Sequence, residues 1–239
     1  MSFLEHLDEL RKRIIRALLS LCLGVGIAAF FINDIIEFVM RPLSATLPKG
    51  GSFIYTYPTE AFMLNIRIAL LAGLFIGTPL IFWQVWLFVA PALYAKERRY
   101  AIPFVALSST GFLAGAAFSH YVAFPWTWGF FLSWQNEYMQ FLPTIGFTFS
   151  IYAKMLLAFG AMFQMPVIVF FLARMGVVTA RWMARQFKYA VLVIVVLAAI
   201  ITPSSDVASQ LIVAGPMVIL YVLSIAIAWA FGKKRVEEV

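Results

Sequence analysis

Two places in this chain set carboxylates among cations at a spacing that suits ion recognition. The stretch LEHLDELRKRI, residues 4–14, holds Glu5, Asp8 and Glu9 beside Arg11, Lys12 and Arg13. The stretch FVAPALYAKERRYAIP, residues 88–103, holds Glu97 beside Lys96, Arg98 and Arg99. Two such carboxylates on one side of a molecule could receive a ligand bearing two positive charges. A guanidinium suits them best, because its planar fork donates two parallel hydrogen bonds to one carboxylate. A local salt-bridge network accounts for the same residues equally well.

Other chemistry lacks its parts. The two histidines, His6 and His120, stand far apart, and neither HExxH nor GxSxG occurs. There is no pair of aspartates within the apolar runs and no glycine-rich phosphate loop, so the sequence predicts no enzyme, no metal site and no cofactor. His120 is expected to hydrogen-bond between helices. The single cysteine, Cys22, can form no intrachain disulfide and reads as a lipid-facing or packing residue.

The elements that must position the acids follow from composition. Of 239 residues, 63% are hydrophobic and only 12% charged, with a mean hydropathy of +0.92. Soluble domains carry about a quarter charged residues. A soluble fold of this size could not hide so much apolar surface, so the chain reads as an integral membrane protein. The net charge of +7 is then expected from topology, and no basic stripe with interleaved aromatics argues for nucleic acid. The acid-rich start and the long apolar run behind it do not fit a cleaved signal peptide.

Runs of about 20 apolar residues predict six transmembrane helices. They cover 14–32, 61–89, 102–133, 151–173, 187–201 and 207–231, in one all-α, polytopic membrane domain spanning 1–239 with no internal repeat. Cations cluster in the N-terminal flank (Arg11, Lys12, Arg13, Arg16), at Lys96, Arg98 and Arg99, at Arg174, Arg181, Arg185 and Lys188, and in the tail. The opposite connections hold little beyond Arg41 and Lys49, so both termini are expected inside. That topology puts Glu9 and Glu97 on the same face of the membrane, where neither acid is needed for orientation.

The outer connection 33–60 is expected to carry a short helix and then an extended stretch, and Thr202-Pro203-Ser204-Ser205-Asp206 a tight turn. Span five is short: about 15 residues, or roughly 22 Å, against a hydrocarbon core of about 30 Å. The last hairpin then either stops short of the outer surface or borrows residues from its flanks. Prolines 79, 103, 125, 166 and 216 fall within or at the ends of spans and each removes a backbone donor, which favours curved helices and a concave bundle. Gln164 is polar at mid-span: it either bonds a neighbouring helix, worth about 1 kcal/mol, or marks a hydrated recess. Arg67 and Lys154 are expected to snorkel, and Glu60, one face with Arg67, to pair with it in part.

HLDELRKRI, PLIFWQVWLFVAPALYAKERR and SSDVASQ, in this order across six spans, closely resemble the TatC family of the twin-arginine protein translocase over essentially the whole chain. The resemblance implies a six-helix, glove-shaped protein of the bacterial cytoplasmic (inner) membrane, in a multicopy complex. It implies recognition of paired-arginine signal peptides and, with the single-span partners TatA and TatB, transport of folded proteins driven by the proton-motive force. Carried over by motif, Glu9 and Glu97 would face the signal arginines, with Arg11, Phe88, Arg98 and Arg99 shaping the site. Pro42, Asp206 and Gln210 match other sensitive family positions.

One residue departs from the family pattern: in FQMP, Gln164 stands where many members carry glutamate, so a proton relay is not expected there. Two rivals fit less well. A small-solute transporter would show inverted repeats and a midplane site, and an intramembrane hydrolase would need its catalytic set.

Overall fold

The computed structural model describes residues 3–45, 47, 51–89, 101–136, 138, 142–202 and 206–232. In chain order its helices are α1 (Phe3–Phe30), α2 (Ile32–Ala45), α3 (Glu60–Val89) and α4 (Ala101–Phe118). A π-helical turn (Ser119–Ala123) and α5 (Phe124–Leu132) follow, then α6 (Ile145–Met162), α7 (Gln164–Met175), α8 (Ala180–Arg185), α9 (Phe187–Ile201) and α10 (Val207–Phe231). Among the described residues, five helical stretches are long and apolar enough to cross a membrane: Glu5–Phe30, Glu60–Phe88, Ile102–Leu132, Ile145–Met175 and Val207–Phe231. The shorter apolar α9 completes the six expected spans, with the bounds read from the sequence.

Differences from the expected spans have local causes. The first helix starts at Phe3 rather than Ile14 because the charged collar is itself helical. Its acids and bases pair at i,i+4, Lys12 with Asp8 at 2.6 Å and Arg13 with Glu9 at 3.1 Å, the spacing that brings side chains together on a helix. Pro125 has no N–H for the Tyr121 carbonyl, and the helix widens into the π turn just before it. Likewise Pro166 leaves the Met162 carbonyl without its donor, and the fourth span breaks at Phe163. The expected short outer helix is α2, which carries Pro42.

The Cα framework divides into two compact units, Met1–Leu113 with Leu142–Phe149, and Ala114–Phe141 with Ser150–Val239. In the first unit the most extensive helix pair is α1 with α3. Glycines set its closeness: a Cβ on Gly24 would collide with the Gly73 carbonyl oxygen, and one on Gly77 would lie 3.0 Å from the Ser20 carbonyl oxygen. Small residues that let backbones touch are the usual means of packing helices in lipid, where burial of apolar surface gives no driving force. The outward side of α1 is apolar, with Leu19 and Leu23 exposed at 62% and 58%, as a lipid-facing surface requires. The start of α4 packs on α3 through Trp86–Phe104 and Phe75–Phe112 ring contacts.

In the same unit the connections that lead into α3 and α6 are joined by a short parallel bridge between Ile54 and Thr144. Ile54 N–H donates to the Pro143 carbonyl at 3.1 Å, and Ile145 N–H donates to the Ile54 carbonyl at 2.9 Å. Glu60 reinforces it, accepting from the backbone N–H of Thr56 at 2.9 Å and of Gly146 at 3.0 Å. This corrects the expected partner: the Glu60 carboxylate turns to backbone donors, and Arg67 is exposed. A backbone N–H fixed by helix α6 is a closer donor than a long side chain seven residues along.

In the second unit α10 packs against α7 and α9. Gly115 allows its helix to touch the backbone at Phe159 and Gly160. His120 does bond between helices, its Nδ1 lying 2.7 Å from the Tyr152 hydroxyl, with both residues buried. The Tyr221 hydroxyl donates to the Met183 carbonyl at 2.9 Å, tying α8 to α10.

Candidate functional site

The collar at the start of α1 carries the candidate site. Glu9 and Arg13 are both largely covered, 18% and 19% exposed, whereas Asp8 and Lys12 are more than half exposed. The surface pair contributes little, because water screens it. The covered pair is different. Among the described residues its bond runs from Arg13 Nη2 to Glu9 Oε1, and neither Glu9 Oε2 nor Arg13 Nε has a hydrogen-bond partner. An open hollow is lined by Glu5, Asp8, Glu9, Lys12, Arg13 and Arg16. Arg11 is exposed.

The α1–α3 seam fixes what stands opposite the collar. Gly24 meets Gly73, Ser20 meets Gly77, and His6 stacks on Phe88 with ring centroids 4.6 Å apart. This antiparallel register runs from His6 through Ser20 to Gly24 on α1 and from Phe88 through Gly77 to Gly73 on α3. Arg13 lies a heptad from both His6 and Ser20, and Gln84 lies a heptad from Gly77, so both fall on the contact stripes at the same level. Gln84 is partly covered, and its Oε1 is buried without a hydrogen-bond partner. Phe88 lies about a turn beyond it, toward the level of Glu9.

The sequence reading named Glu9, Arg11 and Phe88, and the structure brings Glu9 and Phe88 to one end of the α1–α3 pair. It did not single out Arg13 or Gln84. The i,i+4 spacing from Glu9 could have flagged Arg13; Gln84 required the inter-helix register. Glu97, Arg98 and Arg99 lie outside the described residues, in the segment that joins α3 to α4.

The remaining named positions lie elsewhere. Asp206 caps α10: Oδ1 accepts from Ser209 N–H at 2.8 Å and Oδ2 from the Ser209 hydroxyl at 2.6 Å. Gln210 Nε2 donates to the Val195 carbonyl at 2.7 Å, tying α10 to α9. Gln164 opens α7 directly after the break at Phe163 and is partly covered. Pro42 is within α2. Among the described residues no group of three or more His, Cys, Asp or Glu could hold a metal ion.

Comparison with known proteins places this geometry in context. The family model described as Sec-independent protein translocase protein (TatC) matches residues 5–216. A Koribacter versatilis protein named Sec-independent protein translocase protein TatC is 40% identical over 238 residues, covering 98% of this chain and 88% of the relative. A Helicobacter pylori J99 protein of the same name is 40% identical over 228 residues, covering 93% of this chain and 87% of the relative. A crystal structure of a twin-arginine translocase receptor, TatC, superposes with a TM-score of 0.82 at 33% identity, covering 93% of this chain and 97% of that one.

Proposed function

The chain belongs to the TatC family, and we propose that it is the signal-peptide-recognising core of a twin-arginine translocase, moving folded proteins with the proton-motive force. It is a multi-pass bacterial membrane protein. Its membrane is the cytoplasmic one, and the charge bias of its connections supports an orientation with both termini inside. Its partners are single-span subunits of the TatA and TatB type, and its ligand is a signal peptide with paired arginines.

One observation supports the recognition step: the Glu9 carboxylate is mostly covered yet, among the described residues, bonded only through Oε1, with Oε2 buried and without a hydrogen-bond partner. An incoming guanidinium can take both oxygens at once, in the fork geometry that an ammonium cannot supply. Glu97 provides the second acid for the second arginine. Arg11, Arg98 and Arg99 repel weakly matched cations, while Phe88 and His6 give the peptide an aromatic wall. Asp206 and Gln210 act by building the α9–α10 hairpin. The shortness of α9 makes that hairpin the docking place for a partner helix, and Gln164 and Pro42 serve assembly.

A photo-crosslinker placed at position 97 tests the reading in native membranes. A paired-arginine precursor is captured, and its paired-lysine counterpart is not. Equal capture of both contradicts recognition by two carboxylates.

A further inference from the structure

Three polar atoms at one end of the α1–α3 pair stand covered and without partners: Glu9 Oε2, Arg13 Nε and Gln84 Oε1. Two are acceptors and one is a donor. Covered polar atoms left unbonded are costly, and native structures hold few of them. Their coincidence on neighbouring turns at one end of one helix pair therefore needs a cause.

We propose that Arg13 is a resident stand-in for the incoming arginine, occupying Glu9 until a signal guanidinium displaces it, and that Gln84 then receives Arg13. The proposal rests on the reading of Glu9 as the signal-peptide carboxylate and adds two residues to it. In the resting arrangement Arg13 holds Glu9 through Nη2 alone, at 3.1 Å. Turning Arg13 toward α3 at its own level offers its donors to Gln84 Oε1 and releases both oxygens of Glu9. The ligand guanidinium then binds Glu9 with two bonds. All three unsatisfied atoms acquire partners in the exchanged state, with the Arg13 guanidinium held by the neutral Gln84 Oε1 and the charge of Glu9 taken over by the ligand.

The arrangement also sharpens selectivity. Any cation that reaches Glu9 must replace a guanidinium already there. An arginine regains a two-bond contact, whereas a lysine brings a strongly hydrated point charge that cannot. Arg13 thus raises the threshold for lysine more than for arginine. Gln84 is a positioning residue, acting through Arg13 rather than on the ligand.

The test measures binding of a labelled synthetic peptide, paired arginines followed by an apolar segment, to the full chain in membrane vesicles. Its paired-lysine counterpart is measured alongside, and thermal stability is checked for every variant. Gln84→Leu is expected to weaken the arginine peptide about tenfold, equivalent to about 1.4 kcal/mol. In an Arg13→Gln background the same Gln84→Leu change is expected to have almost no effect, since nothing needs to be received. Arg13→Gln alone narrows the gap between arginine and lysine peptides, and Gln84→Glu tightens the arginine peptide by drawing Arg13 off Glu9. A Gln84→Leu effect of equal size in both backgrounds, or weaker binding by Gln84→Glu, overturns the exchange. Unchanged binding in Glu9→Gln overturns the parent reading instead, and so the two failures are told apart.

Discussion

Substituting Gly24 by alanine adds one methyl at the tightest point of the α1–α3 seam. The new Cβ would collide with the Gly73 carbonyl oxygen and lie 3.0 Å from its carbon and 3.1 Å from the Gly77 nitrogen. Comfortable contact between such atoms is about 3.5 Å or more, so the helices must part by roughly 1 Å or bend. Alanine in place of glycine favours a helix by about 1 kcal/mol in water, whereas overpacking of this kind costs about 1–3 kcal/mol. Gly26, two residues away, meets nothing within 4 Å; alanine there has the propensity gain without the collision. The difference between Gly24→Ala and Gly26→Ala therefore isolates the seam, at about 1–3 kcal/mol. The assay is thermal unfolding of the purified chain in detergent, with Gly24→Ala melting lower than wild type and Gly26→Ala equal or higher. Equal melting of the two variants would refute the claim that backbone contact between α1 and α3 sets their register, and with it the pairing of Arg13 and Gln84 by level.

Other substitutions read other parts of the fold. Asp206→Ala removes the cap of α10 and lowers stability by about 1 kcal/mol, while Asp206→Asn keeps most of it; thermal unfolding separates them. Gly146→Ala pushes a methyl into the Glu60 carboxylate and opens its 3.0 Å bond, which is expected to expose the outer connection around Ile54 to protease added from outside. Gln164→Leu weakens partner assembly or transport and Gln164→Glu is tolerated, as measured by export of a precursor in cells; full export by the leucine variant removes the case for polarity at that position.

The spans were legible because lipid imposes a length and a composition. α9 was readable to its bounds, since Gln186 and Thr202 interrupt its apolar run on both sides. The start of α1 was not, because a search for apolar residues passes over a helix made of i,i+4 ion pairs, which Asp8–Lys12 and Glu9–Arg13 supply. Prolines 125 and 166 announced interrupted helices, and the π turn and the break at Phe163 lie just ahead of them. Glu60 was assigned to Arg67 from spacing on one helix, while its second donor, Gly146, is distant in the chain and near only after folding. Gln84 illustrates the same limit. Its position on α3 is plain from sequence, but its level opposite Arg13 follows from Gly24, Gly73 and Gly77, whose contact depends on how two helices meet. Glu9 stood out because orientation by positive charge gives an acid no task, and the structure adds that its second oxygen is buried without a hydrogen-bond partner.

The central claim is that Glu9 and Glu97 together receive an arginine pair. It is tested most directly by the affinity of a paired-arginine peptide for wild type, Glu9→Gln, Glu97→Gln and the double variant, all inserted equally in membranes. Each single change should weaken binding by about tenfold or more, as loss of a charge-assisted bond requires, and the double variant should no longer distinguish arginines from lysines. Wild-type affinity in both single variants, with arginine still preferred in the double, would contradict the account.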